Sequence, residues 1–221
     1  MKIISFNTLY INYEKKYNPN SHIISNYPND NDRLLYIYKF ILKNIDIETI
    51  VCLQECSYEL LNIFKNKIDL LFYDLFSQEI DQNVFMLTIA PVNFAFKIEN
   101  IPKNKYENIA HGYLIITNDN VKIINCHLIP KFAAKGDIYS FISGTCSDKK
   151  CIIAGDFNEK YKNIVKYLKE YSIPYFGPTY KKNKDFDNII FNFKSIFDIN
   201  KVDTYSVSDH CAIMVDFYNN I

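Results

Sequence analysis

Six apolar stretches of this sequence stop on, or start from, a side chain able to hold a cation or shift a proton. The run 2–6 ends on Asn7, and 49–53 ends on Gln54-Glu55. The run 121–126 ends on His127, with Asn125 two residues earlier on the same face. Residues 151–154 lead into Gly155-Asp156-Phe157-Asn158, Asp187 opens the run 187–193, and Ser208-Asp209-His210 opens the last one. One carboxylate after a strand is ordinarily a solvated strand end. Gathered at one rim, these groups form an acidic pocket with two imidazoles. Such a pocket suits a hard divalent cation: Mg²⁺ takes carboxylate oxygens and retains water, whereas zinc favours thiol and imidazole sets.

Positioning these groups requires strands, and the hydrophobic pattern supplies them. Thr49–Leu53 and 151–154 read as short buried strands, with further strands at 69–76, 84–89, 92–98, 187–193 and 210–218. Residues 112–128 read as a hairpin across the polar turn Asn118-Asp119-Asn120. Helical spacing appears at Leu34, Ile37, Tyr38, Ile41 and Leu42, with Asp32 placed to cap. Residues 57–66, 138–146 and 159–170 also read as helices. The segment 12–31 reads as a surface loop, or else as a loop on the substrate side. Helices interspersed among many strands imply two packed sheets with helices outside. No repeat or linker divides the chain, so a single domain over 1–221 is expected.

Composition narrows the class. The chain has 221 residues, 48% hydrophobic, with 25 basic and 25 acidic side chains, which excludes a disordered polymer. No apolar run reaches the ~18–20 residues of a membrane span, and the N-terminus reads as a strand, not a signal peptide. Ile, Asn, Lys and Tyr supply 102 of the 221 residues. All four have A/T-rich codons, so scattered lysines and asparagines carry little information. Arg33 is the sole arginine; phosphate recognition must then rest on lysines, amide N–H groups or a metal instead of guanidinium forks. The six cysteines form no C-x-x-C pair and read as free buried thiols of an intracellular protein, cytoplasmic or nuclear. His22 and His111 lie off the pattern and read as ordinary surface or packing residues.

Taken in order, the motifs resemble those of the endonuclease/exonuclease/phosphatase superfamily, which includes deoxyribonuclease I. They stand here as Phe6-Asn7, Leu53-Gln54-Glu55, Cys126-His127-Leu128, Gly155-Asp156-Phe157-Asn158, Phe186-Asp187-Asn188-Ile189 and Ser208-Asp209-His210, across essentially the whole chain. The resemblance implies a four-layer α/β/β/α sandwich with two central, mostly antiparallel β-sheets, and metal-dependent phosphoester cleavage. It implies that Glu55 is the main ligand of Mg²⁺ (Mn²⁺ as a substitute), with Asn7 and Asp209 nearby, directly or through water. It assigns Asp156 to the attacking water and Asn158 to the developing phosphorane. His210 would bind a phosphate oxygen, with Asp187 fixing its ring, and His127 would be a second phosphate-facing imidazole.

Substrate class is less legible. Eleven lysines against five acids between Leu128 and Lys184 suggest a basic flank for a polyanion. Lys131, Lys181 and Lys182, with Tyr180 to stack a base, are the expected substrate contacts. Nucleic acid is therefore the expected substrate and partner of a monomeric enzyme. A lipid or small-molecule phosphoester is the alternative, and an inactive binding domain of the same fold a more distant one.

Overall fold

The computed structural model describes residues 1–100, 110–129, 137–146 and 149–218. Two β-sheets lie face to face. The first contains β1 (Lys2–Asn7), β2 (Thr49–Ser57), β3 (Tyr73–Asp81), β4 (Val84–Pro91), β10 (Phe197–Val202) and β11 (Ala212–Phe217), in the order β10-β11-β1-β2-β4-β3. The second contains β5 (Lys97–Ile98), β6 (Ala110–Thr117), β7 (Val121–Leu128), β8 (Lys150–Asp156) and β9 (Asp187–Phe191), in sequence order. Pairing is antiparallel except for β1 with β2 and β7 with β8. Between the sheets lies an apolar layer including Ile3, Ile50, Cys52, Ile123, Ile152, Ile189 and Val215. This layer is why the central strands read as continuous apolar runs: both their faces are covered.

Helices cover the outer faces. Helix α3 (Asp30–Asn44) and α4 (Tyr58–Lys67) bury Leu34, Ile37, Ile41, Leu60 and Phe64 against Ile4, Phe6, Val51, Leu87 and Ile89 of the first sheet. Helix α5 (Asp137–Thr145) and α6 (Tyr161–Tyr167) cover the second, where Phe141, Ile142 and Ile164 meet Ile124, Ile153 and Ile190. The result is the expected four-layer sandwich.

Several local expectations change. Helix α3 is capped by Asn29, whose side chain accepts from Asn31 N at 3.2 Å; Asp32 lies inside the first turn, where its charge still favours the helix N-terminus. Residues 92–98 give a 3₁₀ turn (Val92–Phe94) and the two-residue β5 instead of a full strand. The segment 12–31 contains two short helices, α1 (Ile11–Tyr17) and α2 (His22–Asn26), anchored by buried Leu9, Ile11 and Ile23. Strand β10 had no sequence signal, because only its ends are half-buried and its middle faces solvent. Cys146 and Cys151 are joined in a disulfide, so the reading of six free thiols fails at these two; Cys52, Cys56, Cys126 and Cys211 are free and buried. Among the described residues no helix is long and apolar enough to cross a membrane.

Strand polarity explains why the polar ends meet. β1 and β2 run parallel with Asn7 opposite Gln54, and β7 and β8 run parallel with His127 opposite Asp156. Their C-terminal ends therefore share one rim. β9 runs antiparallel to β8 and begins with Asp187 opposite Asp156. β11 runs antiparallel to β1, so the Ser208-Asp209-His210 segment that precedes it arrives at the same rim. Gly155 allows the close β7–β8 approach beneath: a side chain there would overlap the backbone carbonyl of Cys126.

Candidate active site

The rim forms an open cleft of about 970 Å³, floored by Glu55, His127, Asp156, Asn158, Asp209 and His210. Glu55 reaches it through a break in regular pairing. The β2–β4 register shifts between Leu53 and Cys56, and Glu55 itself adopts a left-handed backbone with φ 52°. A bulge of this kind re-aims a side chain, and left-handed backbone at a non-glycine residue costs on the order of 1 kcal/mol or more. Asn158 (φ 49°) and Leu9 (φ 59°) share that conformation. Strained backbone thus collects beside the acidic groups.

Asn7 ties the two sheets together. Its Nδ2 donates to Glu55 Oε1 at 3.0 Å and to Asp156 Oδ2 at 3.1 Å, while its Oδ1 accepts from Leu9 N at 3.1 Å. In this geometry Asn7 serves as a donor holding two carboxylates, and its oxygen accepts one bond from Leu9 N. Tyr10 N donates to Glu55 Oε2 at 3.0 Å. Asn158 N donates to Asp156 Oδ1 at 2.8 Å, and Asn158 Nδ2 donates to Leu128 O at 2.9 Å.

His210 Nδ1 lies 2.9 and 3.1 Å from the two oxygens of Asp187, and Asp187 N is fixed by Thr179 Oγ1 at 3.0 Å. With Nδ1 donating to Asp187, Nε2 faces the cleft, 3.6 Å from Asp156 Oδ2 and 3.8 Å from Asp209 Oδ1. Burial disfavours charge on this imidazole, but Asp187, Asp156 and Asp209 together outweigh it and hold it well above the usual histidine range. His127 is the opposite case. Burial, with His111 and His210 adding repulsion, pushes it down to about 3, so its ring is neutral. Its Nε2 lies 3.7 Å from both Glu55 Oε1 and Asp156 Oδ2. Burial raises Glu55, and it raises Asp156 to about 7, where nearby Asp187 and Glu55 add to the effect while His210 opposes it.

The donor set fits a hard divalent cation. Glu55, Asp156 and Asp209 offer carboxylate oxygens around one cleft, and Asp209 Oδ1 is buried with no hydrogen-bond partner among the described residues. Asp156, Asp187 and His210 also place ligand atoms within 4.8 Å of one another. There, however, Nδ1 of His210 already carries the proton that Asp187 accepts, so this trio is better described as a hydrogen-bonded relay.

The expected substrate contacts fare unevenly. Tyr180 lines the cleft and packs edge-on against His210, ring centroids 4.9 Å apart. Lys182 and Lys184 are on the rim, joined by Lys16 of α1. Lys181 is neutralised by Glu14 at 3.0 Å and Asp209 at 3.5 Å, so it braces the wall instead of offering a free charge. Lys131 lies outside the described residues. Lys149 binds the Thr117–Asn118 turn at the far end of the second sheet, away from the cleft. Sequence reasoning missed Tyr13 and Glu14, hidden in an apparent loop, and His111, which lines the cleft beside His127. His22 stays apart, bonded to Tyr205 O at 2.7 Å.

The sole arginine serves the site from behind. Arg33 is fully buried in α3, and its Nη1 donates to Thr8 O at 2.7 Å and Val207 O at 2.9 Å, with Asp30 as counter-ion at 2.6 Å. These carbonyls belong to the two segments that carry Asn7 and Asp209-His210. Replacing Arg33 by Met should leave two buried carbonyls and Asp30 unpaired and cost about 3 kcal/mol in urea unfolding; a loss under about 1 kcal/mol would show that the brace is dispensable.

No protein-family model matches the sequence, and no curated protein matches it. Solved structures do. A humanised D. rerio TDP2 carrying 14 mutations superposes with a TM-score of 0.70 at 14% identity, covering 99% of each chain. A Bacteroides thetaiotaomicron mannosyl-6-phosphatase gives 0.69 at 14% identity, covering 99% of this chain and 100% of that one. An endonuclease/exonuclease/phosphatase family protein from Leptotrichia buccalis gives 0.65 at 16% identity, covering 99% and 100%. With the strand order and the convergent rim, these likenesses lead to one conclusion: the chain has the fold of the endonuclease/exonuclease/phosphatase superfamily.

Proposed function

We propose that the protein is a Mg²⁺-dependent phosphodiesterase that hydrolyses phosphoester bonds in nucleic acid. The observation that carries the reading is the pairing, in one cleft, of a carboxylate pocket with a charged imidazole. Glu55 is held by Asn7 and Tyr10, and His210 is locked on Asp187 with Nε2 free to face a substrate. A bound Mg²⁺ would neutralise phosphate charge and lower the pKa of water, with Glu55 and Asp209 as its holders.

The chain's own groups supply the rest. His210, charged on both nitrogens, donates from Nε2 to a phosphate oxygen and offsets the charge that builds on an in-line displacement. Asp187 keeps that ring oriented and protonated. Asp156, raised to about 7 by burial, is poised to orient the attacking water and take its proton near neutral pH. His127 presents Nε2 from the other side of the cleft, 3.7 Å from Glu55 and Asp156. Asn158 stands on the same floor, its amide turned to Leu128 O; it contributes to the phosphorane only after that bond is exchanged for one to substrate.

Nucleic acid is favoured over a small phosphoester by the openness of the cleft and its rim. Lys16, Lys182 and Lys184 alternate there with Tyr13, Tyr17, Tyr180 and Phe186, a combination that tracks a backbone and stacks bases. Glu55→Gln should fold normally yet lower kcat/KM by at least about a thousandfold, because a neutral amide is a poor Mg²⁺ ligand. EDTA should abolish turnover, and added Mg²⁺ or Mn²⁺ should restore it. Activity that persists in EDTA would remove the metal from the mechanism.

Salt separates the substrate classes. Each backbone contact to a single strand contributes a slope of about −0.7 in log K against log[salt]. Two or three rim lysines should then weaken oligonucleotide binding about sevenfold to twentyfold between about 50 and 200 mM salt. Charge reversal at Lys182 and Lys184 should flatten that slope. KM for bis-p-nitrophenyl phosphate should change little. Equal, shallow salt dependence for both substrates would favour a small or lipid phosphoester instead.

A further inference from the structure

His127 lacks the support that such an imidazole ordinarily has. A working histidine is usually oriented by a hydrogen bond at its second nitrogen, as His210 is by Asp187. His127 Nδ1 is buried and has no hydrogen-bond partner among the described residues. Its other nitrogen, Nε2, faces the cleft, 3.7 Å from both Glu55 Oε1 and Asp156 Oδ2 and so beyond hydrogen-bond distance of either. Among the described residues, no hydrogen bond therefore fixes its rotation about the Cβ–Cγ bond.

An aromatic neighbour takes that place. The ring of His111 packs on that of His127, centroids 4.9 Å apart and planes tilted by 48°. His111 is seated for this contact by the backbone. The β6–β7 register shifts between Ala110 and Gly112, so His111 is the extra residue of a bulge, turned out to the cleft wall. Gly112 keeps the next position bare, where a side chain would overlap Ile80 of β3. The tip of β3 is in turn held to α1 by Tyr13 Oη donating to Asp81 at 2.6 Å.

We propose that His111 is a positioning residue, whose ring holds His127 in its working rotamer by stacking and not by hydrogen bonding. This rests on the reading that His127 faces the phosphate. Stacking of this kind contributes about 0.5–1.5 kcal/mol between aromatic rings, and it comes from the π-face, which any aromatic side chain provides. A ring nitrogen that touched substrate would instead be irreplaceable by phenylalanine.

The test compares four single variants and one double variant with bis-p-nitrophenyl phosphate and saturating Mg²⁺. His111→Ala and His111→Asn, both without an aromatic ring, should lower kcat about tenfold or more with KM nearly unchanged, since a misplaced group costs rate and not binding. His111→Phe should return kcat to within about threefold of wild type, the factor that a change of less than 1 kcal/mol allows. His127→Ala should fall at least as far as His111→Ala, and adding His111→Ala to it should cost nothing more. His111 is exposed at the cleft wall, so far-UV circular dichroism should stay at wild type and Tm should fall by no more than about 6 °C, as loss of one such stack allows. Wild-type kcat in His111→Ala beside an impaired His127→Ala would overturn the proposal alone. Equal loss in His111→Phe and His111→Ala would overturn it in favour of a substrate-touching nitrogen. A fully active His127→Ala would overturn it together with the role of His127.

Discussion

Everything at this rim answers to the repulsion among four carboxylates. Asp156, Asp187 and Asp209 are 2%, 2% and 6% exposed, and the Glu55 side chain is 12% exposed. Buried like charges cannot all ionise without compensation. The protein divides the problem. Asp187 is neutralised by the His210 imidazolium, and Asp209 is partly met by Lys181. Glu55 and Asp156 share a single amide, Asn7, and have backbone N–H groups for the remainder. What is left uncompensated lies between Glu55, Asp156 and Asp209, and a divalent cation bound there would fill that charge deficit.

The scaffold exists to hold that arrangement against its own repulsion. Two pairs of parallel strands bring four strand ends to one rim, and two antiparallel strands begin there. Beneath the rim, Gln54 Nε2 donates to Asn125 Oδ1 at 2.7 Å, and Asn125 Nδ2 donates to Leu53 O at 3.1 Å and Leu87 O at 3.0 Å. This buried amide pair crosses from one sheet to the other and fixes their relative position directly under Glu55. Arg33 closes the back of the site, joining the loops after β1 and before β11. Both devices spend buried polar groups on alignment, which an apolar core cannot supply.

Much of this was legible in the sequence because the rim is made by strand ends. A short apolar run fixes where a strand stops, and the residue at the stop is the one displayed. Asn7, Glu55, His127, Asp156, Asp187 and Asp209-His210 were all visible by that rule, as was the layered fold that gathers them. What stayed hidden depends on contacts that no local pattern encodes. The wall of α1 read as a loop because Asn and Tyr dominate it, although Glu14 meets Lys181 across 167 residues. His111 carried no signal, since a bulge and not strand periodicity turns it to the cleft. Arg33 was set aside as the sole arginine, and no local pattern marks it as the brace between the loops after β1 and before β11. The lysine count of 128–184 did not separate roles: among the described residues Lys149 and Lys181 bind within the protein, while Lys182 and Lys184 line the cleft.

The central claim is that a deficit of positive charge between Glu55, Asp156 and Asp209 makes the site a cation site. Calorimetric titration of Mg²⁺ near pH 6.5, in two buffers of different ionisation enthalpy, tests it most directly. Burial raises Glu55 and holds Asp156 at about 7, so a cation seated beside them should drive a proton off Asp156. The observed enthalpy should therefore depend on the buffer and report a net release of protons, and the binding signal should vanish in Glu55→Gln. Mg²⁺ binding that releases no proton, or that survives unchanged in Glu55→Gln, would contradict the account.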